Sequence, residues 1–236
     1  MQLFFEENIS GKKFELGPEE SKHLVKVLRK SIGDQVFFTN GKGFLYTCKI
    51  DLLDLKKTIL SVISEEFHPP DKYHIHLAIA PTKIQEKMEL MVEKITEIGF
   101  HEITFIHTEN CERSYLKMER IEKKIIAACK QSHKTWKPKI NARRDFIDIL
   151  QDPQFETFQK FIGYVDHENQ SHLFAQASKN SSYLVLIGPE GDFSPEEILR
   201  AKEYGFKACS LGKYRLRTET AGMVAVHTLN LIQDDT

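Results

Sequence analysis

From Tyr73 onward the chain alternates apolar strand-like runs with segments of helical periodicity, and no other feature constrains its fold as strongly. Tyr73 to Ala80 alternates, then turns wholly apolar and stops at Pro81; Glu102 to Ile106, Phe161 to Val165, Tyr183 to Ile187 and Phe206 to Leu211 read as further strands. Between them, residues 83–98 place Ile84, Met88, Met91, Val92, Ile95 and Ile98 on one helical stripe, which Gly99 closes with a left-handed cap. Residues 115–131 predict a second helix. Ser194-Pro195-Glu196-Glu197 is a capping box opening a third, which ends at Gly205, and Ala221 to Ile232 predicts the last. Strands alternating with helices imply an α/β domain with a mostly parallel sheet and helices on both faces.

The first 70 residues follow another rule. A helix opens at Pro18-Glu19-Glu20 and runs toward Gly33, Gln35 to Thr39 and Gly43 to Asp51 form a hairpin about Asn40-Gly41, and Ile59 to Ile63 adds a strand. Pro69-Pro70 can continue neither a helix nor a central strand, so the boundary between domains 1–70 and 71–236 is placed there.

With 41% hydrophobic and 28% charged residues, the chain has an ordinary globular composition, which excludes disorder and coiled coil. Apolar runs such as Met223 to Val226 are far too short to span a membrane, and the N-terminus lacks a secretory pattern, so a cytoplasmic protein is expected. Cys48, Cys111, Cys129 and Cys209 are widely spaced without a C-x-x-C pair, as suits reduced thiols. No metal is expected: His74 and His76 merely alternate along a strand, and His101-Glu102 has no histidine four residues on.

The net charge of −1 hides an uneven distribution, because residues 111–144 carry 11 Lys and Arg against 3 Asp and Glu. Either this is a solvated helix face or it meets phosphates. Trp136 and Tyr115, interleaved with Arg113, Lys134 and Lys137, offer flat faces for a splayed base.

In an open parallel sheet, ligands bind beyond the carboxyl ends of the strands. Two loops there are unusual. Gly188-Pro189-Glu190-Gly191-Asp192-Phe193 combines turn-forming glycines with a rigid proline, yet fits neither the P-loop nor the dinucleotide fingerprint. Leu211 to Thr220 brings Arg215, Arg217 and Glu219 to a helix start, where Thr218 or Thr220 could cap; capping does not explain arginines at the positive end of a helix.

These loops, Ile187-Gly188-Pro189-Glu190-Gly191 and Leu216-Arg217-Thr218-Glu219-Thr220-Ala221, resemble the two signature stretches of the RsmE-type enzymes of the SPOUT class, which methylate N3 of a uridine in 16S ribosomal RNA. The likeness extends to His23-Leu24 with Val27-Leu28-Arg29, Lys94 with Glu97-Ile98-Gly99, Glu112-Arg113-Ser114, and Gln131-Ser132 with Pro138. It departs at Met1-Gln2-Leu3, where an arginine is usual, at His133-Lys134, where an arginine commonly follows Gln-Ser, at Asp192, where a second glycine is usual, and at Tyr214-Arg215.

The resemblance implies a PUA-like β-barrel domain for RNA, a SPOUT domain whose C-terminal chain threads a trefoil knot, S-adenosylmethionine as cofactor, 16S rRNA or the small ribosomal subunit as partner, and a homodimer. It assigns the cofactor to Ile187, Gly188, Pro189, Glu190, Gly191, Leu211, Gly212, Leu216 and Arg217. RNA contacts fall to Arg29, Arg113, Lys134, Lys137, Arg143 and Arg144. Arg217 or Arg113 would stabilise the uridine anion, with Glu219 or Glu97 as proton acceptor. A non-catalytic RNA-binding or ribosome-assembly protein of the same fold, or a ribose 2′-O-methyltransferase, is the alternative.

Overall fold

The computed structural model describes residues 2–9, 11–112, 116–165 and 171–234. The chain forms two compact units, one of Met1–Pro70 with Cys129–Lys137 and one of Asp71–Ala128 with Pro138–Thr236.

In the first unit, β1 (Leu3–Phe5), β2 (Lys13–Leu16), β3 (Gln35–Thr39), β4 (Phe44–Leu52) and β5 (Thr58–Phe67) form one sheet in the order β1-β3-β4-β5-β2. β1 pairs parallel with β3, and the remaining pairs are antiparallel. Alternating residues such as Val36, Phe38, Cys48, Ile50 and Leu60 point to one core, where Phe4 stacks on Phe38 and Phe14 meets it edge-on. The expected helix is shorter and irregular. α1 (Pro18–Lys22) passes into a π-helical turn, His23–Val27, which buries Leu24, and Arg29 then leaves the helix with φ 51°.

Residues 135–137 lie along the β3–β4 turn. Gly43 N–H donates to Thr135 O (3.0 Å), Lys137 N–H to Gly41 O (2.9 Å), and the Trp136 indole N–H to His68 O (2.9 Å). The ring of Trp136 packs over Gly43, where a Cβ would lie 2.6 Å from it. Trp136 therefore anchors its own segment, although 40% of it remains exposed.

The second unit holds β6 (His74–Ile79), β7 (Glu102–His107), β8 (Lys139–Asp145), β9 (Gln159–Gly163), β10 (Ser182–Ile187) and β11 (Lys207–Cys209) in a six-stranded sheet, ordered β11-β9-β10-β6-β7-β8. Every pairing is parallel. β10 lies between β9 and β6, covered on both faces, which explains its unbroken apolar sequence. One face packs Ala78, Ile162, Leu184 and Leu186 against Phe146, Ile149, Phe155, Phe193, Ala201 and Phe206, from α4 (Phe146–Leu150), α6 (Pro195–Glu203) and nearby turns. On the other, α2 (Gln85–Ile98) and α7 (Thr218–Leu231) pack together, and Gly222 brings α7 against Met91, Ile79 and Leu77.

α2 starts at Gln85, so its stripe narrows to Met88, Met91, Val92 and Ile95, all buried; Ile84 precedes the helix and is 49% exposed, and Ile98 is 36% exposed. Gly99 does have positive φ, but at φ 128° and ψ 114° it lies outside the left-handed helical well. The capping box forms as expected, with Ser194 Oγ accepting from Glu197 N–H and the Glu197 carboxylate accepting from Ser194 N–H. β8 has no counterpart in the sequence reading because it is an edge strand without buried residues. α3 (Met118–Ser132) and the short α5 (Leu173–Gln176) complete the elements.

A polar network occupies the amino ends of β6 and β7. His76, wholly buried, accepts or donates at Nε2 with Thr104 Oγ1 (2.8 Å), while Glu102 Oε1 accepts from Lys139 Nζ (2.8 Å) and Asn141 Nδ2 (2.6 Å). Burial holds the His76 pKa down at about 4, so the imidazole is neutral at physiological pH.

Gly43→Ala combines an unfavourable positive φ of 90° with a collision against Trp136 and the His68 carbonyl. It should cost about 2 kcal/mol or more. Urea unfolding followed by fluorescence of Trp136, the single tryptophan, measures the first unit directly.

Candidate active site

A cavity of about 620 Å³ opens at the carboxyl ends of the adjacent strands β9, β10 and β11, within the range typical of small-molecule sites. Ile187, Gly188, Pro189, Glu190, Leu211, Gly212, Leu216 and Arg217 line it, so the geometry gathers eight of the nine residues assigned to a cofactor from sequence. Gly191 is the exception, because its α-carbon faces Asn110, whose Cβ would be 3.1 Å from an added Cβ.

The loop after β10 is held by side chains rather than by glycine alone. Asp192 has φ 63°, and its N–H donates to Pro189 O (3.0 Å). Its carboxylate accepts from Phe193 N–H (2.8 Å) and, across to the loop after β9, from Val165 N–H (2.9 Å). The side-chain amide of Asn110 donates to the Gly191 and Asp192 carbonyls at 3.3 and 3.1 Å. Glu190 Oε1 accepts from Lys83 N–H, and its carbonyl accepts from Arg215 Nη2. Gly188 does not need positive φ; an added Cβ there would meet the Phe193 ring and N–H at 3.1–3.2 Å, so its smallness serves loop packing.

In the loop after β11, Gly212 has φ 142°, and its N–H donates to Ser210 Oγ (3.2 Å). α7 begins at Thr218, three residues earlier than the periodicity predicts. Neither Thr218 nor Thr220 caps it. Arg217 occupies the N-cap position without a side-chain capping bond, its guanidinium exposed at the cavity. Positive charge is unfavourable there unless it serves a bound group. Cys209 also lines the cavity, but burial pushes its thiol up to about 12, so it is not a nucleophile.

The early helix start places Glu219 in the first turn of α7. Its residue is buried and its carboxylate lies 3.3 Å from Lys87 Nζ on α2, away from the cavity lining. Glu97 accepts from Lys94 Nζ (2.8 Å) at the other end of α2 and is likewise absent from the lining. Arg113 and Tyr115 fall outside the described residues.

Sequence reasoning missed the third wall, Gly163, Tyr164 and Val165, which follows β9. A glycine ending an apolar strand was the available signal. It was hard to use because nothing local says that β9 lies beside β10 and β11.

The basic stretch is less cationic than its composition suggests. Arg120 pairs with Glu89, Lys124 with Glu93, Lys130 with Glu20, Lys139 with Glu102 and Arg144 with Asp152, all within 3.0 Å. Arg143 Nη2 lies 2.7 Å from His107 Nδ1. In the first unit, Lys137 sits over the Phe5 ring and 3.9 Å from Glu7, Lys134 is partly exposed, and Arg29 is exposed.

The chain thus combines a parallel α/β domain carrying a loop-built pocket with a small mixed sheet, and the family matches give this combination its class. Residues 69–230 match the family described as RNA methyltransferase domain, and residues 16–63 match the RNA methyltransferase PUA domain. Ribosomal RNA small subunit methyltransferase E of Rickettsia conorii is 30% identical, with 93% of this chain and 90% of the relative covered; that of Aquifex aeolicus is 30% identical over 97% and 99%. The chain belongs to this family, as an RsmE-type member of the SPOUT class. A probable rRNA-methyltransferase from Porphyromonas gingivalis superposes with a TM-score of 0.93 at 38% identity, covering 99% of this chain and 98% of that one. The corresponding enzyme of Neisseria gonorrhoeae, solved bound to S-adenosyl methionine, gives 0.87 at 25% identity, covering 99% and 98%.

Asp192 supplies the check on how the pocket is held. Asp192→Ala loses the bond to Val165 and leaves a Cβ at positive φ, at a cost of about 1–2 kcal/mol. Asp192→Gly accommodates the backbone but not the bond, and should be the milder change. Urea denaturation of the two variants and wild type ranks them.

Proposed function

We propose that this protein transfers the methyl group of S-adenosylmethionine to N3 of a uridine in 16S ribosomal RNA. The observation that carries the reading is the exposed guanidinium of Arg217 at the rim of a cavity built from three adjacent strand ends. The residues fit the cofactor: apolar Ile187, Leu211 and Leu216 offer a surface for an adenine, and the main chain of Gly188, Pro189 and Gly212 borders the same space. When bound, the sulfonium supplies an electrophilic methyl group.

The protein's part is alignment and charge stabilisation. Uridine N3 must lose a proton, and the resulting negative charge spreads onto O2 and O4. A guanidinium set against those oxygens favours the anion, as an oxyanion hole favours an alkoxide. Arg217 takes this role, with Arg113 as the second candidate. Glu219, 3.3 Å from Lys87 Nζ, and Glu97 are the candidates for the proton acceptor. Arg29, Lys134 and Lys137 in the first unit, and Arg143 in the second, are the candidates for phosphate contacts; Arg144 contributes less, being tied to Asp152. A cytoplasmic homodimer with a knotted C-terminal chain belongs to the same reading. No described helix is long and apolar enough to cross a membrane.

Incubating the protein with cofactor and small ribosomal subunits, then digesting the rRNA for nucleoside mass spectrometry, tests the proposal. The expected product is 3-methyluridine. A ribose-methylated nucleoside, or no product together with RNA binding, favours one of the alternatives.

Arg217→Ala should slow single-turnover methyl transfer at least about a hundredfold, or about 2.7 kcal/mol of transition-state stabilisation, with a much smaller change in cofactor affinity by calorimetry. A normal rate would move the role to Arg113.

Replacing Lys134 and Lys137 together by alanine should flatten the salt dependence of RNA binding by about 1.4 log units per log unit of salt, at about 0.7 per phosphate contact on single strands. Filter binding at four salt concentrations decides this. Equal slopes would mean that these lysines form a solvated face.

A further inference from the structure

At the opposite end of the sheet from the cavity, three ligating side chains converge on one point. His74 and His76 are two apart on β6 and therefore share a face, and the parallel register places Glu102 of β7 directly beside His76. His74 Nε2 lies 3.3 Å and His76 Nδ1 3.6 Å from the same oxygen, Glu102 Oε2, and one ligating atom from each of the three residues lies within 4.8 Å of the others. Two ligands at bond lengths of 2.0–2.1 Å around a tetrahedral ion are about 3.4 Å apart, so the two shorter separations already match such an arrangement.

The surroundings are those of a ligand set. His76 is wholly buried, and its Nδ1 has no hydrogen-bond partner while pointing toward Glu102. Its other nitrogen is held by Thr104 Oγ1, which orients the ring as the outer partner of a metal-bound imidazole does. Glu102 Oε1 accepts from Lys139 and Asn141, while Oε2 faces the two histidines and pairs with His74 in the absence of an ion. Phe155 stands edge-on to His76 and Phe158 to His74, giving a dry wall. The His74 side chain, 34% exposed, provides the way in from solvent.

We propose that His74, His76 and Glu102 form a binding site for a divalent transition-metal ion of the Zn²⁺ type, with water as the fourth ligand. Two imidazoles and one carboxylate suit Zn²⁺ better than the all-oxygen preference of Mg²⁺ or Ca²⁺. The ion would cross-link the amino ends of β6 and β7, and its contribution is to stability rather than to methyl transfer. The site stands independently of the methyltransferase reading and replaces the expectation, drawn from residue spacing, that no metal is bound. Linear spacing could not show it, because the third ligand comes from the neighbouring strand.

Full-length protein freed of metal with a chelator should be titrated with Co²⁺, followed by visible absorption, and then challenged with Zn²⁺. One equivalent of Co²⁺ should give the intense bands of a four-coordinate site, Zn²⁺ should abolish them, and Zn²⁺ should raise the Tm in proportion to the logarithm of its concentration. His74→Ala, at a partly exposed position, should weaken binding at least about a hundredfold, the upper end of what loss of an outer partner costs. Glu102→Gln should act in the same direction, and His227→Ala, on the exposed face of α7, should change nothing. Absence of the bands in wild type, or binding by His74→Ala equal to wild type, would overturn the proposal.

Discussion

The second unit depends on the burial of β6 and β10 on both faces. A parallel strand in that position exposes no side chain along its length, so the residues from Leu184 to Leu186 and from Leu77 to Ile79 serve packing. Chemistry is thereby displaced to where the backbone leaves the sheet. Since all six strands run parallel, the loops after β9, β10 and β11 emerge together at one edge, and a cavity forms among them. Gly222 is the counterpart on the helical side, since the absence of a side chain there brings α7 close to Leu77, Ile79 and Met91.

Such a cavity is useful only if its loops hold their shape, and here polar side chains do this. Asp192 joins the loop after β10 to the loop after β9, Asn110 holds two of its carbonyls, and the Ser194–Glu197 box secures the helix that follows. The charged partner is the loop after β11, where Lys213, Tyr214, Arg215 and Arg217 are exposed. A firm wall for one ligand and a cationic rim for another is a suitable division for a reaction that aligns two substrates.

The basic stretch shows how composition and surface diverge. Its excess charge is real, but residues 111–144 run through α3 and the edge strand β8, whose cations meet acids from α1, α2 and β7. The carboxylates that neutralise them are distant in sequence, so a local count of charges overstates the cationic surface. Trp136 makes a similar point: a flat aromatic among lysines suits base stacking, yet its indole N–H and much of its ring are used to hold residues 135–137 against the β3–β4 turn.

Sequence by itself determined what depends on local periodicity and local backbone chemistry: the β3–β4 hairpin, β6, β10, the stripe of α2, the capping box of α6, and the two loops that line most of the cavity. Hydrophobic period and turn-forming residues act over a few positions and can be read there. Tertiary structure decided what depends on strand order. It placed β9 beside β10 and β11, so that Gly163 to Val165 became a wall, and it added β8, whose polar edge sequence carries no strand signal. It turned Glu219 toward Lys87 by starting α7 three residues early, and it set Glu102 next to His76. Each of these is a contact between segments dozens of residues apart, formed because burying both faces of the sheet leaves the strands few ways to pack.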